Sequence, residues 1–356
     1  MLPYWLLFSF FAAGAVQYTP DFQRRLQGGL LLFPMIALVT IVIGLRYEVG
    51  GDWFQYIDIL GQIGRMSFSR GVWAQDPGYG LLNWLAAQAG FGIWAVNLAC
   101  AILFMWGLVK FARREPNPWL VFAVAMPYLI IVVAMGYTRQ GVAIGLVLAG
   151  LSVLDRGILR FTFYLVLAAS FHKSAVVVLP LVALSVAQRR IVTVPVMLGS
   201  AVLLYYVFVQ ASVDKLMANY VVAAYASQGA GVRVAMNVPP ALILLLFAKR
   251  FTRTEQERKL WRNFALAALA TALLLQFTDA TTALDRIALY IIPLQMLVLG
   301  RVPFVLGASR GARLVLTLAI VLYSATIQFV WLNYADNAPA WLPYGFYPTA
   351  EGSPGG

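Results

Sequence analysis

Arg46-Tyr47-Glu48-Val49-Gly50-Gly51-Asp52-Trp53-Phe54-Gln55-Tyr56 is the densest polar patch in an otherwise apolar chain. Gly50 and Gly51 permit a tight turn whose backbone N–H groups can approach an anion. Asp52 and Tyr56 share a face if a helix starts there, where Asp52 also suits an N-cap. Asp76-Pro77-Gly78-Tyr79 joins a carboxylate to a Pro-Gly turn signal. Arg139-Gln140 opens a run of small and aliphatic residues; a guanidinium there either snorkels to headgroups or grips phosphate with its planar fork. His172-Lys173-Ser174 contains the chain's one histidine, and a neighbouring lysine favours the neutral imidazole that a general base requires. Asp285-Arg286 lies one helical turn before Tyr290. The chemistry these cations suit is the binding of an anion such as phosphate, with Asp52, Asp76 and His172 the titratable groups set among them.

The elements that must position them are set by composition. Hydrophobic residues make up 62% of the 356 and charged residues 11%, whereas soluble domains carry about 25% charged residues. The solvent is therefore a bilayer, and the apolar runs are too long and unalternated for barrel strands. The expected fold is all-α, a polytopic integral membrane protein with about 12 membrane helices, some short or re-entrant. The expected spans are 2–17, 29–45, 81–109, 118–134, 138–154, 157–171, 174–188, 193–210, 237–248, 263–277, 287–300 and 314–332. All belong to a single transmembrane domain, 1–356, with a main outer loop 46–80, a second outer loop 211–236 and an outer C-terminal tail 333–356. The first span lacks the basic start of a secretory signal and reads as a retained helix. Cys100, in an apolar run, reads as core filler.

Alternate loops hold 18 of the 26 Lys and Arg, which makes them cytoplasmic by the positive-inside rule and puts both termini outside. The net charge of +12 thus reports topology and is not a nucleic-acid footprint. The same rule splits residues 161–187 into two helices meeting near His172 and Lys173. Against that bias stand Arg46, Arg139, Lys173 and Arg286 at span ends, where they can line a cavity open to the outer face. Arg65, Arg70, Lys215 and Arg233 lie farther into loops and read as solvated. Trp341, Tyr344, Phe346 and Tyr347 near the C-terminus read as interfacial anchors, with sugar stacking a less economical account. No P-loop, no Cys or multi-His cluster and no Asp-x-Asp pair is present, so no metal and no cofactor is expected.

Taken in order, Arg46…Gly51-Asp52…Tyr56, Asp76-Pro77-Gly78-Tyr79, Arg139-Gln140, His172-Lys173-Ser174 and Arg286…Tyr290 resemble the EpsG-like branch of the Wzy-type exopolysaccharide polymerases. The match spans residues 46 to 290. The family's acid before Pro-Gly is often Glu, and Asp76 keeps the carboxylate with a shorter reach. The resemblance implies an enzyme of the bacterial cytoplasmic (inner) membrane that joins undecaprenyl-pyrophosphate-linked oligosaccharide units at the periplasmic face. It implies membrane lipid, a flippase and a chain-length regulator as partners, and no nucleic acid. On this reading Arg46, Arg139, Lys173 and Arg286 hold pyrophosphate, helped by Tyr56, Gln140 and Tyr290; His172 or Asp52 is the base, and Asp76 with Tyr79 orients sugar or shapes the turn. The alternatives are another lipid-linked-sugar transferase such as an O-antigen ligase, a membrane acyltransferase, or a flippase for the same lipid.

Overall fold

A computed structural model describes residues 1–18, 27–186, 229–277 and 281–350, together with Pro195, Gly199 and Val202. In chain order the elements are α1 (Leu2–Gln17), α2 (Gln27–Gly44), β1 (Arg46–Tyr47), α3 (Trp53–Gly64), α4 (Phe68–Trp73), α5 (Pro77–Gln88), α6 (Ile93–Ala112) and α7 (Pro118–Ala125). A π-helix (Met126–Ala134) then leads to α8 (Thr138–Leu151), α9 (Ile158–Phe171) and, after a 3₁₀ turn (Lys173–Val177), α10 (Val178–Val186). The chain continues with α11 (Ala230–Ala235), α12 (Val238–Phe251), α13 (Glu255–Leu274), α14 (Thr281–Leu306) and α15 (Arg310–Tyr334). A 3₁₀ turn (Ala338–Trp341), β2 (Gly345–Phe346) and α16 (Tyr347–Ala350) close it.

Four helical stretches are long and apolar enough to cross a membrane: Ile93–Ala112, Ala230–Phe251, Leu284–Leu306 and Arg310–Tyr334. Shorter apolar helices accompany them, among them Leu2–Gln17, Pro118–Ala134 and Thr138–Leu151. The protein is a multi-pass helical membrane protein. Most of the expected span 193–210, most of the loop 211–236, Lys215 and residues 351–356 lie outside the described residues.

Two expectations change. The run 81–109 is not one helix: α5 stops at Gln88, and Gly90 takes a left-handed φ of 73°. Phe91 N–H then bonds the Ala86 carbonyl and Gly90 N–H the Ala87 carbonyl, the paired bonds that satisfy a helix's last carbonyls when a glycine follows the C-cap. The segment 46–80 is likewise mostly helical. Trp53, Tyr56, Ile59 and Ile63 bury one face of α3, an amphipathic stripe that a loop reading overlooks.

Two compact units divide the chain, residues 1–172 with 306–356, and residues 173–305. In the first, α6 and α8 approach closely through glycines: a Cβ on Gly107 would overlap the Gly145 carbonyl oxygen, and one on Gly145 would lie 2.7 Å from Phe104 Cα. Gly141 and Gly145 form the small-xxx-small spacing by which membrane helices bring their backbones together. Gly107→Val is therefore expected to separate these helices and lower the thermal unfolding temperature of the detergent-solubilised protein, at a cost of about 1–3 kcal/mol from overpacking. An unchanged melting curve would refute the close approach.

The second unit packs α10, α11 and α12 around α13. Its interior holds a polar set: Arg233 pairs with Asp285, both mostly buried, Gln295 Nε2 donates to Asn237 Oδ1 at 2.7 Å, and Asn237 Nδ2 donates to the Ala288 carbonyl at 3.1 Å. Arg233 is thus no solvated loop residue. It follows the left-handed Gly229 into α11, which turns its side chain inward to a carboxylate.

Candidate functional site

Arg46 organises the first unit's polar centre. Its guanidinium is fully buried, and Nε donates to Val49 O (3.1 Å), Nη1 to Ile43 O (2.7 Å), and Nη2 to Asn97 Oδ1 (3.2 Å) and Thr138 Oγ1 (2.7 Å). Burial pulls its pKa below the ordinary arginine value, with desolvation the main cause. Four such bonds let the charge persist there, and they tie the end of α2, the following turn, α6 and the start of α8 together. Direct pyrophosphate binding by Arg46, expected from sequence, therefore has no exposed face to use. Arg46→Lys, which keeps the charge but supplies fewer and differently directed donors, is expected to destabilise the fold by about 1–3 kcal/mol, read as a lower unfolding temperature. A variant that lost only activity at unchanged stability would return Arg46 to the anion-binding set.

The Gly50-Gly51 turn is likewise committed elsewhere. Gly50 has φ of 109°, its N–H donates to Ala340 O at 2.8 Å, and a Cβ there would sit 2.5 Å from the Met135 carbonyl oxygen. The partner is the C-terminal strap. β2 pairs antiparallel with β1, Arg46 opposite Phe346, and Trp341 inserts its ring against Gly136 and Gly51. Trp341 Nε1 donates to the Ile131 carbonyl at 2.9 Å, within the π-helix, Tyr4 Oη donates to Trp341 O at 2.8 Å, and Tyr344 Oη donates to Val42 O at 2.9 Å. Trp341 and Tyr344 are thus packing residues of the polar centre and not interfacial anchors.

The residues with chemistry stand at the starts of α3, α5 and α8. Arg139, in the first turn of α8, sends Nη1 to Gln75 Oε1 (3.1 Å) and Asp76 Oδ2 (3.2 Å), and its guanidinium carbon lies 5.8 Å from the Tyr79 ring centre. Side-chain exposures of 23% for Arg139 and 16% for Asp76 leave this pair partly accessible. Tyr79 and Tyr56 rings lie 5.7 Å apart, and Tyr56 Oη donates to Asp52 Oδ2 at 3.3 Å. Burial pushes both hydroxyls well above the usual tyrosine range, so both stay protonated. Asp76-Pro77-Gly78-Tyr79 is not a free turn: Pro77 occupies the first helical position of α5 with Asp76 at the N-cap, the placement that proline's missing N–H favours.

His172 follows the last residue of α9, extended and half-buried. Its predecessors reach the same α5 start, because a Cβ on Gly78 would lie 2.7 Å from Ser170 Oγ and 2.9 Å from Phe171 Cε2. The structure thus gathers Asp52, Tyr56, Asp76, Tyr79 and Arg139, with His172 on the neighbouring helix end. Gln140 is buried beside Arg139. Lys173, Arg286 and Tyr290 belong to the second unit, where Lys173 and Arg286 are exposed and Tyr290 is buried. Sequence reasoning missed Gln75, Asn97 and Thr138. Asn97 carried a readable signal, a single amide inside an apolar span.

Among the described residues no group of three or more His, Cys, Asp or Glu could hold a metal ion. Comparison with curated proteins and with solved structures finds no match. The sequence does match the EpsG family over residues 29–346, a stretch that contains the polar centre, both helices that carry Asp76 and Arg139, and the strap. The chain belongs to the EpsG family.

Proposed function

We propose that this protein is a polysaccharide polymerase that joins undecaprenyl-pyrophosphate-linked oligosaccharide units at the outer face of the bacterial cytoplasmic membrane. The observation that carries the reading is Arg139. Its two contacts are both made by Nη1, which leaves Nη2 and Nε, among the described residues, for an incoming anion. It stands in the first turn of a 14-residue helix, whose positive end also favours negative charge.

In the reaction the acceptor hydroxyl oxygen bonds the anomeric carbon of the donor glycan. The bond from that carbon to pyrophosphate breaks, and its electron pair leaves with the lipid pyrophosphate. Arg139 stabilises the developing charge. The acceptor's proton passes to Asp52 or His172, since the Asp76 carboxylate is engaged by Arg139. Protonated Tyr56 fixes the Asp52 carboxylate, and the Tyr79 ring lies against the Arg139 guanidinium. Gln140, next to Arg139 in α8, is a candidate for a further pyrophosphate contact. This pathway uses no metal.

The test is purified protein in nanodiscs supplied with its native lipid-linked repeat unit, with products separated on a gel with and without chelator. A ladder of products that survives chelation is the expected result. A single addition without a ladder would move the protein to the ligase class, and lipid translocation without transfer would make it a flippase.

A further inference from the structure

A second group of side chains beside the polar centre is not used by this chemistry. Tyr47 stacks edge-on to Tyr347 with ring centres 5.8 Å apart, Tyr347 lies 6.4 Å from Trp94, and Trp94 lies 5.5 Å from Phe91. Tyr47, Trp94 and Tyr347 are half-exposed and Phe91 is more open. Glu48, also exposed, has a left-handed φ of 51°, a conformation that a side chain other than glycine adopts only under constraint. Its carboxylate charge raises the pKa of the neighbouring Tyr47 hydroxyl above the usual tyrosine value.

The platform is rigid. The β1–β2 pairing fixes Tyr47 opposite Gly345, and Tyr347 N–H donates to the Leu45 carbonyl at 2.8 Å. Gly92 admits the rings: a Cβ there would lie 3.2 Å from Trp94 Cδ1 and 3.4 Å from Tyr347 Oη.

Rings with polar tips next to a carboxylate suit a ligand that has apolar faces and hydroxyl edges, which describes a pyranose. A headgroup layer fits less well, because the exposed charge is an anion and cytoplasmic-membrane phosphates repel it. We propose that Tyr47, Trp94 and Tyr347, with the Glu48 carboxylate, form a carbohydrate subsite that holds the sugars of the glycan away from the reacting bond. The assignment rests on the polymerase reading for its role and on binding alone for its existence. Glu48 stands four residues before Asp52, the proposed base.

The experiment uses full-length protein in nanodiscs and delipidated oligosaccharides, two or more repeat units long, released from the organism's own polysaccharide. Saturation-transfer NMR is expected to show sugar protons contacting aromatic residues. Trp94→Ala, Tyr347→Ala and Glu48→Gln are each expected to weaken binding about fivefold or more and to shorten the product ladder, while Trp94→Phe and Tyr347→Phe, which keep a ring, retain most of it. Circular dichroism and melting curves accompany each variant. Absence of binding by the well-folded wild type, or unchanged binding in the alanine variants, overturns the subsite. So does strong quenching of a fluorophore placed at position 347 by doxyl lipid, which would mark the platform as membrane-buried. Binding that depends on these rings in a protein that makes no ladder would retain the subsite and remove the polymerase assignment; a ladder without such binding does the reverse.

Discussion

Replacing Arg139 with alanine is expected to abolish the polymer ladder, a fall of about 10²-fold or more in initial rate, the size associated with losing one preorganised donor at a developing charge. The expectation follows from geometry. Arg139 is held from one side by Gln75 and Asp76 through a single nitrogen, so its fork is aimed before any anion arrives and little reorganisation is needed when one does. Arg139→Lys retains the charge but loses the planar pair of donors, and it is expected to fall about tenfold below wild type. Asp76→Asn tests the support: it keeps a hydrogen-bond acceptor while removing the ion pair, so a smaller loss than that of Arg139→Ala is expected. Initial rates in nanodiscs, with melting temperatures measured alongside, separate loss of chemistry from loss of fold. Full output from Arg139→Lys would show that a point charge suffices; full output from Arg139→Ala would remove this residue from the reaction.

Trp341→Ala carries the largest expected cost in stability, about 3–5 kcal/mol for deleting a buried tryptophan. The ring is 1% exposed, lies at right angles to Trp331 with centres 5.0 Å apart, fills the space left by the missing Cβ at Gly136 and packs beside Gly51. Its Nε1 also occupies the Ile131 carbonyl, in a π-helix whose longer i→i+5 register leaves carbonyls to be satisfied from outside. The unfolding temperature of the detergent-solubilised variant should drop by several degrees, with Trp341→Phe intermediate. Gly136→Ala should cost stability through the same contact, since its Cβ would overlap Trp341 Cζ2; combined with Trp341→Ala, the two effects should be less than additive. An unchanged melting curve for Trp341→Ala would show that the strap is not part of the folded unit.

The strap shows why the sequence could be read only so far. Trp341 and Tyr344 have the composition of a membrane-interface belt, and their actual partners, Ile131, Tyr4 and Val42, lie between about 200 and 340 positions away in a chain with no local pattern linking them. Arg46 is a similar case. An arginine at the end of an apolar run reads as a cation for an outer cavity, yet its four acceptors come from Ile43, Val49, Asn97 and Thr138, and only the fold decides whether acceptors or water surround it. Arg139 and Asp76 were legible as chemical types, but their pairing across 63 positions was not.

By itself the sequence determined the solvent and the class of structure. A chain 62% hydrophobic with 11% charge must satisfy its backbone internally, and helices do that segment by segment. It also determined which short polar patches interrupt the apolar runs, because each charged group placed among them carries a desolvation cost that composition alone reveals. Tertiary structure decided which of those charges are satisfied inside and which stay partly exposed. That division depends on close backbone approach at glycines, on the register of a two-residue strand pair and on one tryptophan, contacts set by distance in space and invisible to spacing along the chain.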